Sequence, residues 1–288
     1  MFGRQTQGSV VCPSCGRLVG VRDARCFNCG APNPSLWGFS PLLRRLGGEN
    51  AFSNLLIGGC GLMFLIELVL SRDSLLSGGG GLFSLLSPRT DVAFLLGASG
   101  SVPVFGYGRW WTVLSAAWLH GGLLHIAFNA LWIRDIAPVV SKLYGAGRMI
   151  LIWTAGSVLG FGASSVAGLL LPGVPFIGGG RLTLGASASL FAFFGALIWY
   201  SHRSGQTGMR RVVWIWAIAG IAFGLVVPVV DNWAHIGGFA GGWLAARFLD
   251  PLRDERPSHV LAGIICLLAA AASIVASVVT GLPLIQGH

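Results

Sequence analysis

Apolar residues fall into seven helix-length runs along the chain, at about 51–70, 112–133, 148–171, 183–200, 211–229, 232–249 and 259–281. A helix needs about 20 mostly apolar residues to cross a bilayer, so each run predicts a membrane span. Spans five and six are parted only by a short turn around Pro228 and Asp231, with Asp231 placed to cap the sixth helix. Residues 1–35 are polar, and 36–50 read as a linker carrying Arg44 and Arg45. Between spans one and two lies a long loop, 71–111. It holds the Gly-rich stretch Ser77–Gly81, the apolar stretch Leu82–Leu86 and the pair Trp110-Trp111. Apolar content and paired tryptophans predict that it lies at the membrane interface. The pattern as a whole predicts an all-α polytopic membrane protein with a small head at its N-terminus.

Composition strengthens this reading. Only 10% of residues are charged and the mean hydropathy is +0.74, whereas soluble domains carry about 25% charged residues. The net charge of +9 would suit nucleic acid in a soluble chain, but no nucleic-acid motif accompanies it. In a membrane chain it reports loops rich in Lys and Arg, which stay inside. With the head inside, fifteen of the nineteen basic residues are cytoplasmic, leaving Arg72, Arg89, Arg109 and Arg181 outside. The expected topology is therefore a cytoplasmic N-terminus and an outer C-terminus, in a bacterial plasma membrane. With a polar head in front of it, the first span is expected to insert uncleaved.

The head carries Cys12-Pro-Ser-Cys15-Gly and Cys26-Phe-Asn-Cys29-Gly. Two C-x2-C turns aim four thiolates at one tetrahedral ion, for which zinc is the leading candidate. All four positions are filled by protein, so the ion is structural. The alternative is a pair of disulfides, which a cytoplasmic head disfavours. Cys60 and Cys266 lie in apolar runs and read as small buried hydrophobes.

Ionisable side chains within a span are costly and are functional candidates by default. Here they are Glu67, His120, His125 and His235, with Asn129 and Ser187 as polar neighbours. Glu67, near the outer end of span one, is expected to reach water. The rest share a level. His125 and Asn129 form an i,i+4 pair in the outer half of span two, Ser187 lies one to two turns into span four, and His235 one turn into span six. Small residues let the helices meet. Gly185, Ala188, Ala192 and Gly195 mark span four; Gly237/Gly241 and Gly238/Gly242 mark span six.

This constellation predicts acyl-transfer chemistry. Ser187 is the nucleophile and His235 the base that takes its proton. His125, Asn129 and the Ser187 amide are candidate donors to an oxyanion. No carboxylate shares the level of His235, so a dyad is favoured. Ser189 is assigned to packing, and His120 to a hydrogen bond that pins the outer loop. Two rivals are a non-catalytic binding or chaperone scaffold, and a transporter or channel. A transporter would carry a polar stripe through the whole bilayer, whereas polar residues here stop in the outer half.

Trp110-Trp111, His120-Gly-Gly-Leu-Leu-His125-Ile-Ala-Phe-Asn129, Gly185-Ala-Ser187 and Ala234-His235-Ile-Gly-Gly238, in this order and spacing, resemble the rhomboid family of intramembrane serine proteases. The resemblance covers about 51–250. It implies a rhomboid-like six-helix core, with the seventh span making a 6+1 arrangement and 251–288 forming an inner loop and that last helix. It also implies cleavage of transmembrane protein substrates near their outer ends, with no cofactor for catalysis. By the same resemblance Ser187 and His235 are catalytic, His125 and Asn129 fall in the oxyanion site, and His120 is the structural histidine. Phe191 would stack on His235, and span five would be the substrate gate. Three positions depart from the family pattern. Ala188 replaces the glycine after the serine, Phe191 stands where tyrosine is frequent, and Thr112 follows the tryptophans where the family has arginine, with Arg109 ahead of them. The partners expected are membrane substrates, the lipid bilayer and a cytoplasmic protein for the zinc ribbon, with no nucleic acid.

Overall fold

The computed structural model describes residues 4–40, 51–73, 85–174, 178–227 and 229–286. Linker residues 41–50, Ser77–Gly81, the first part of Leu82–Leu86, Pro228 and His288 lie outside the described residues. The chain divides into two compact units, Met1–Asn54 and Leu55–His288.

In the first unit β1 (Ser9–Val11) pairs antiparallel with β2 (Leu18–Gly20), with Val10 opposite Val19. Their side chains pack with Cys12 and Cys26 into a small buried cluster. The Gln5 amide donates to the Gly38 carbonyl at 2.9 Å, and Arg4 Nε to that of Trp37 at 2.7 Å. These bonds close the segment around 33–38 back onto the opening residues. So small an apolar cluster is below what holds a domain without a covalent or metal cross-link.

The rest is helical. In order come α1 (Ala51–Leu70), α2 (Thr90–Leu96), a π-helical turn at Val102–Gly106, α3 (Thr112–Ser115) and a 3-10 turn at Ala116–Trp118. They are followed by α4 (Leu123–Tyr144), α5 (Ala146–Leu170), α6 (Ser187–Ser204), α7 (Thr207–Val226), α8 (Asn232–Phe248) and α9 (Pro257–Gln286). Five of these, α1, α4, α5, α7 and α9, are long and apolar enough to cross a membrane. The expected spans four and six correspond to α6 and α8, of 18 and 17 residues. α6 is buried on every side from Ala188 to Ile198, whereas α8 buries its glycine faces and leaves Ile236, Leu244 and Phe248 exposed. A helix apolar all round and buried all round is a core element.

Two expected spans begin elsewhere. The run 112–133 is not one helix. It breaks after Trp118, and α4 starts only at Leu123. Gly121-Gly122 interrupt it, and a carbonyl from the outer loop, that of Leu85, takes the Leu123 amide at 2.9 Å. The run 183–200 also starts late. Residues 180–183 are non-helical and bonded to the outer loop, so α6 opens at Ser187 itself. Ser187 is thus the first residue of its helix rather than one to two turns inside it.

The densest packing is among α5, α6 and α8, and it is backbone against backbone. A Cβ on Gly238 would meet the Ala188 backbone, with Ala188 C at 2.8 Å, and one on Gly242 would meet the Ala192 backbone, both on α6. The other small pair faces α5. A Cβ on Gly237 would sit 2.5 Å from the Leu159 carbonyl oxygen, and one on Gly241 2.7 Å from that of Ala155. The two small-residue stripes of α8 therefore contact two different helices. At the other end of α8, Arg148 of α5 donates to the carbonyls of Asp250 and Arg253 at 2.7 and 2.8 Å. Glu255 in turn accepts the Arg148 amide at 2.8 Å. These bonds fasten the α8–α9 connection to the start of α5.

Gly238→Val should cost about 1–3 kcal/mol, the usual effect of overpacking. Gly162→Ala, where nothing lies within 4 Å of the added Cβ, should be neutral or stabilising by up to about 1 kcal/mol. Reversible unfolding of both variants in mixed micelles measures the difference.

Candidate functional site

Ser187 is set by the backbone ahead of it. Ser99 and Thr183 exchange both amide bonds, at 2.9 and 2.7 Å, and the amides of Ser101 and Val102 donate to Gly180 and Arg181 at 2.9 and 3.1 Å. Two residues before the serine, the Gly185 amide donates to the Ala116 carbonyl at 2.9 Å. Gly185 has φ +128°, and a Cβ there would lie 2.6 Å from both Cε1 and Nε2 of His125. Conformation and space both demand glycine at this position. The first amides of a helix have no intrahelical acceptor, and a helix N-terminus favours negative charge. The Ser187 amide is therefore free of helical duty beside its own hydroxyl.

His235 lies in the first turn of α8, whose N-cap Asp231 accepts the Ala234 amide at 3.0 Å. The second oxygen of the same carboxylate takes a hydrogen bond from Ser164 of α5, whose hydroxyl also accepts the Gly180 amide at 2.9 Å. The start of α8 is thereby tied to α5 and to the segment leading to Ser187. His235 Nε2 lies 3.0 Å from Ser187 Oγ. Phe191, one turn beyond Ser187, stacks on the imidazole at 4.1 Å with planes 9° apart. Among the described residues, His235 Nδ1 has no hydrogen-bond partner, and Asp231 is occupied by its capping role. The arrangement is a serine–histidine pair without a third member.

Ala188 is accommodated by a neighbour the sequence did not single out. A Cβ on Gly160 of α5 would lie 2.9 Å from the Ala188 methyl, so the absent side chain at 160 leaves room for the one gained at 188. Ser189 donates to the Trp153 carbonyl at 2.8 Å, which uses its proton in packing.

His125 lies in the first turn of α4, with Nδ1 accepting the Gly121 amide at 3.3 Å. The far side of its ring is against Gly185. Asn129 is buried one turn further on, and its Nδ2 donates to the His125 carbonyl at 3.0 Å. His120 is buried edge-on to His125, with ring centres 5.1 Å apart. Glu67 overturns its expected role. It is wholly buried and accepts the His120 amide at 3.0 Å, which binds α1 to the segment before α4. The extended stretch at 119–122 leaves that amide without a helical acceptor, and the carboxylate supplies one. Gly238 lies at the α6–α8 contact and touches none of the reactive atoms.

Arg109 is another group whose role the sequence did not reveal. It is buried, and its guanidinium donates to the carbonyls of Phe94 at 2.9 Å and Ser277 at 2.7 Å while covering the Phe94 ring. Thr112, which follows the tryptophans, bonds Ser99 Oγ at 3.2 Å.

The head forms a separate candidate centre. The amides of Gly16 and Gly30 donate to Cys12 and Cys26, and those of Cys12 and Cys26 donate to Arg17 and Ala31, all at 2.8–2.9 Å. The two turns are copies of one another. The four sulfurs lie within 4.8 Å of each other, with Cys12–Cys29 at 3.8 Å and Cys15–Cys26 at 3.6 Å. Zn–S bonds of about 2.3 Å in a tetrahedron put sulfurs about 3.8 Å apart, so the residues fit zinc. No disulfide joins any of the cysteines among the described residues. The Arg17 amide chiefly draws the Cys15 thiol down to about 6. The Ala31 amide pulls Cys29 the same way, but desolvation and the three neighbouring sulfurs prevail and push it up to about 12. Four thiolates at this spacing need a cation to ionise together.

Residues 107–251 match the family model of the Rhomboid domain. The chain is 31% identical over 166 residues to Rhomboid protease GluP of Bacillus subtilis, covering 57% of this chain and 30% of that protein. It is 31% identical over 169 residues to RHOMBOID-like protein 4 of Arabidopsis thaliana, covering 56% and 39%. It is 29% identical over 172 residues to RHOMBOID-like protein 7 of the same plant, covering 57% and 51%. The chain thus spans about a third to a half of the length of these relatives.

The purified chain should carry about one zinc per head, and Cys15→Ser should lose it, as read by elemental analysis. Ligation requires deprotonated thiols, so zinc retention against a chelator should weaken as pH falls from 7 to about 5.

Proposed function

The chain belongs to the rhomboid family, and on that premise we propose that it is an intramembrane serine protease acting through Ser187 and His235. The observation that carries the reading is the 3.0 Å separation of Ser187 Oγ and His235 Nε2 at the start of two closely packed helices. His235 takes the hydroxyl proton as Ser187 Oγ attacks the carbonyl of a substrate peptide bond. The developing O⁻ is met by the Ser187 amide at the N-terminus of α6, with His125 and Asn129 as further donors. His235 then returns the proton to the leaving amine, and water admitted to the same site releases the acyl-enzyme. Phe191 holds the imidazole plane, Gly185 makes room for His125, and no cofactor takes part.

The substrates are transmembrane proteins, cut near the outer face. The basic residues support a cytoplasmic head and an outer C-terminus, which puts the starts of α4, α6 and α8 toward the outer leaflet. Substrate entry is assigned to α7. It is the least enclosed of the five long helices, most of its apolar length lying uncovered by the rest of the protein. It meets its neighbours through Trp216 against Trp132, at 4.8 Å, and through Gly220 against Phe191. The working division of the chain is a zinc ribbon at 1–35, a linker at 36–50, the catalytic core at 51–250 and an added helix within 251–288. The ribbon is a cytoplasmic docking module for a protein partner.

In proteoliposomes holding a panel of transmembrane substrates, Ser187→Ala should abolish cleavage, and His235→Ala should lower it by at least roughly 10³-fold. Loss of an oxyanion donor in His125→Ala should cost about 10²–10³ in kcat, while Ser189→Ala keeps its activity. Cleavage that persists in Ser187→Ala would refute the assignment. Wild-type protein that binds the panel and cuts none of it would favour the non-catalytic scaffold.

A further inference from the structure

We infer that the C-terminal helix α9 is a positioning element for the nucleophile, acting from Ser277 through the outer loop. The inference rests on the protease reading above and adds to it a residue about ninety positions beyond the serine.

Ser277 is fully buried, and both of its polar groups are used by the outer loop. Its carbonyl accepts Arg109 Nη2 at 2.7 Å, and its hydroxyl accepts Trp111 Nε1 at 3.1 Å. A guanidinium buried without a carboxylate is costly unless its protons are met. Arg109 offsets much of this cost through Nη1 and Nη2, which reach three carbonyls, the Leu95 oxygen at 3.5 Å joining those of Phe94 and Ser277, while Nε has no partner among the described residues. Two of the three lie in the last turn of α2, where a cation is favoured, the Phe94 carbonyl also taking the Gly97 amide at 3.2 Å. One side chain therefore joins α9 to α2. Gly97 closes the same corner. A Cβ there would lie 2.7 Å from Ser277 Oγ, and its carbonyl accepts Ser115 Oγ at 2.8 Å.

From this corner the bonds lead to the reactive serine. Thr112 accepts nothing from α9 itself but bonds both the Arg109 carbonyl, at 2.8 Å, and Ser99 Oγ, at 3.2 Å. Ser99 is the residue that exchanges both amide bonds with Thr183. Thr183 lies four residues before Ser187, and between them Gly185 is held by Ala116. Ser99, Thr112, Ser115 and Ser277 are all fully buried. Buried polar groups with defined partners fix a single geometry, because any slip leaves one of them unpaired. A nucleophile displaced by about 1 Å from its base can lose about 10² in rate. Ser277 touches none of the reactive atoms, so it acts through position alone.

The test uses the full-length protein in detergent and a fluorophosphonate probe under saturation kinetics. The time constant of labelling reports geometry in folded molecules, and the final amplitude reports how many are folded. Ser277→Ala keeps the carbonyl and removes the Trp111 bond; Arg109→Lys keeps the charge and removes the planar fork. Each should lower the maximal labelling rate constant by roughly 10- to 100-fold, leave the half-saturating probe concentration within about twofold, and be reversed for position 277 by Ser277→Thr. A loss confined to amplitude, with the rate constant of the labelled fraction unchanged, would overturn the inference, because α9 would then serve folding alone. Wild-type protein that does not react at Ser187 would instead remove the protease reading on which the inference rests.

Discussion

A serine hydroxyl stands only two bonds from its backbone, so it can reach an imidazole on another helix only if the two helix backbones nearly touch. That limit governs the membrane unit. Gly238 and Gly242 bring α8 against α6, Gly237 and Gly241 bring it against α5, and Gly156 and Gly160 receive α6 on the other side. Dispersion and interhelical hydrogen bonds drive such contacts where lipid offers no hydrophobic gain. The small-residue faces of these helices are turned inward, and α8 keeps a separate apolar face of Ile236, Leu244 and Phe248 outward. The two shortest of the seven main helices among the described residues are the two that carry Ser187 and His235, and the longer apolar helices pack around α6.

Close approach sets the distance between α6 and α8 but not their register along the membrane normal. Polar cross-links at the helix starts supply that. Asp231 and Ser164 fix the start of α8 to α5, the Ser99–Thr183 bridge fixes the segment before α6, and Glu67 fixes the segment before α4. Each uses a backbone group that an interrupted helix leaves unpaired. The interruptions and the buried polar side chains are thus two halves of one arrangement. The outer loop, which supplies Ser99 to this set, belongs to the site as much as the helices do.

The sequence made the chemistry legible because ionisable side chains are rare in a membrane chain and stand out. His125, His235 and Ser187 were placed at one level by counting from span ends, and the geometry brings the last two within hydrogen-bond distance. Asp231 as a cap and the paired C-x2-C turns follow from local rules that survive folding. Helix starts were less legible. Hydropathy cannot distinguish an interrupted apolar segment from one continuous helix, so 112–133 and 183–200 each read as a single span although α4 begins at Leu123 and α6 at Ser187. Glu67 departs from expectation for a related reason, and Arg109 carries no role that the sequence assigns. A charge near a span end reaches water by default, and only the folded loop reveals that both are buried against backbone groups. Gly160, which receives the Ala188 methyl, carries no sequence signal at all beyond its size.

The account stands on a hydroxyl activated by an imidazole three ångströms away, and covalent capture tests it most directly. Full-length protein treated with a fluorophosphonate, digested and sequenced by mass spectrometry should carry the adduct on Ser187, with Ser189 unmodified, and should lose it in His235→Ala. An adduct on another residue, or equal labelling of Ser187 with and without His235, would contradict it.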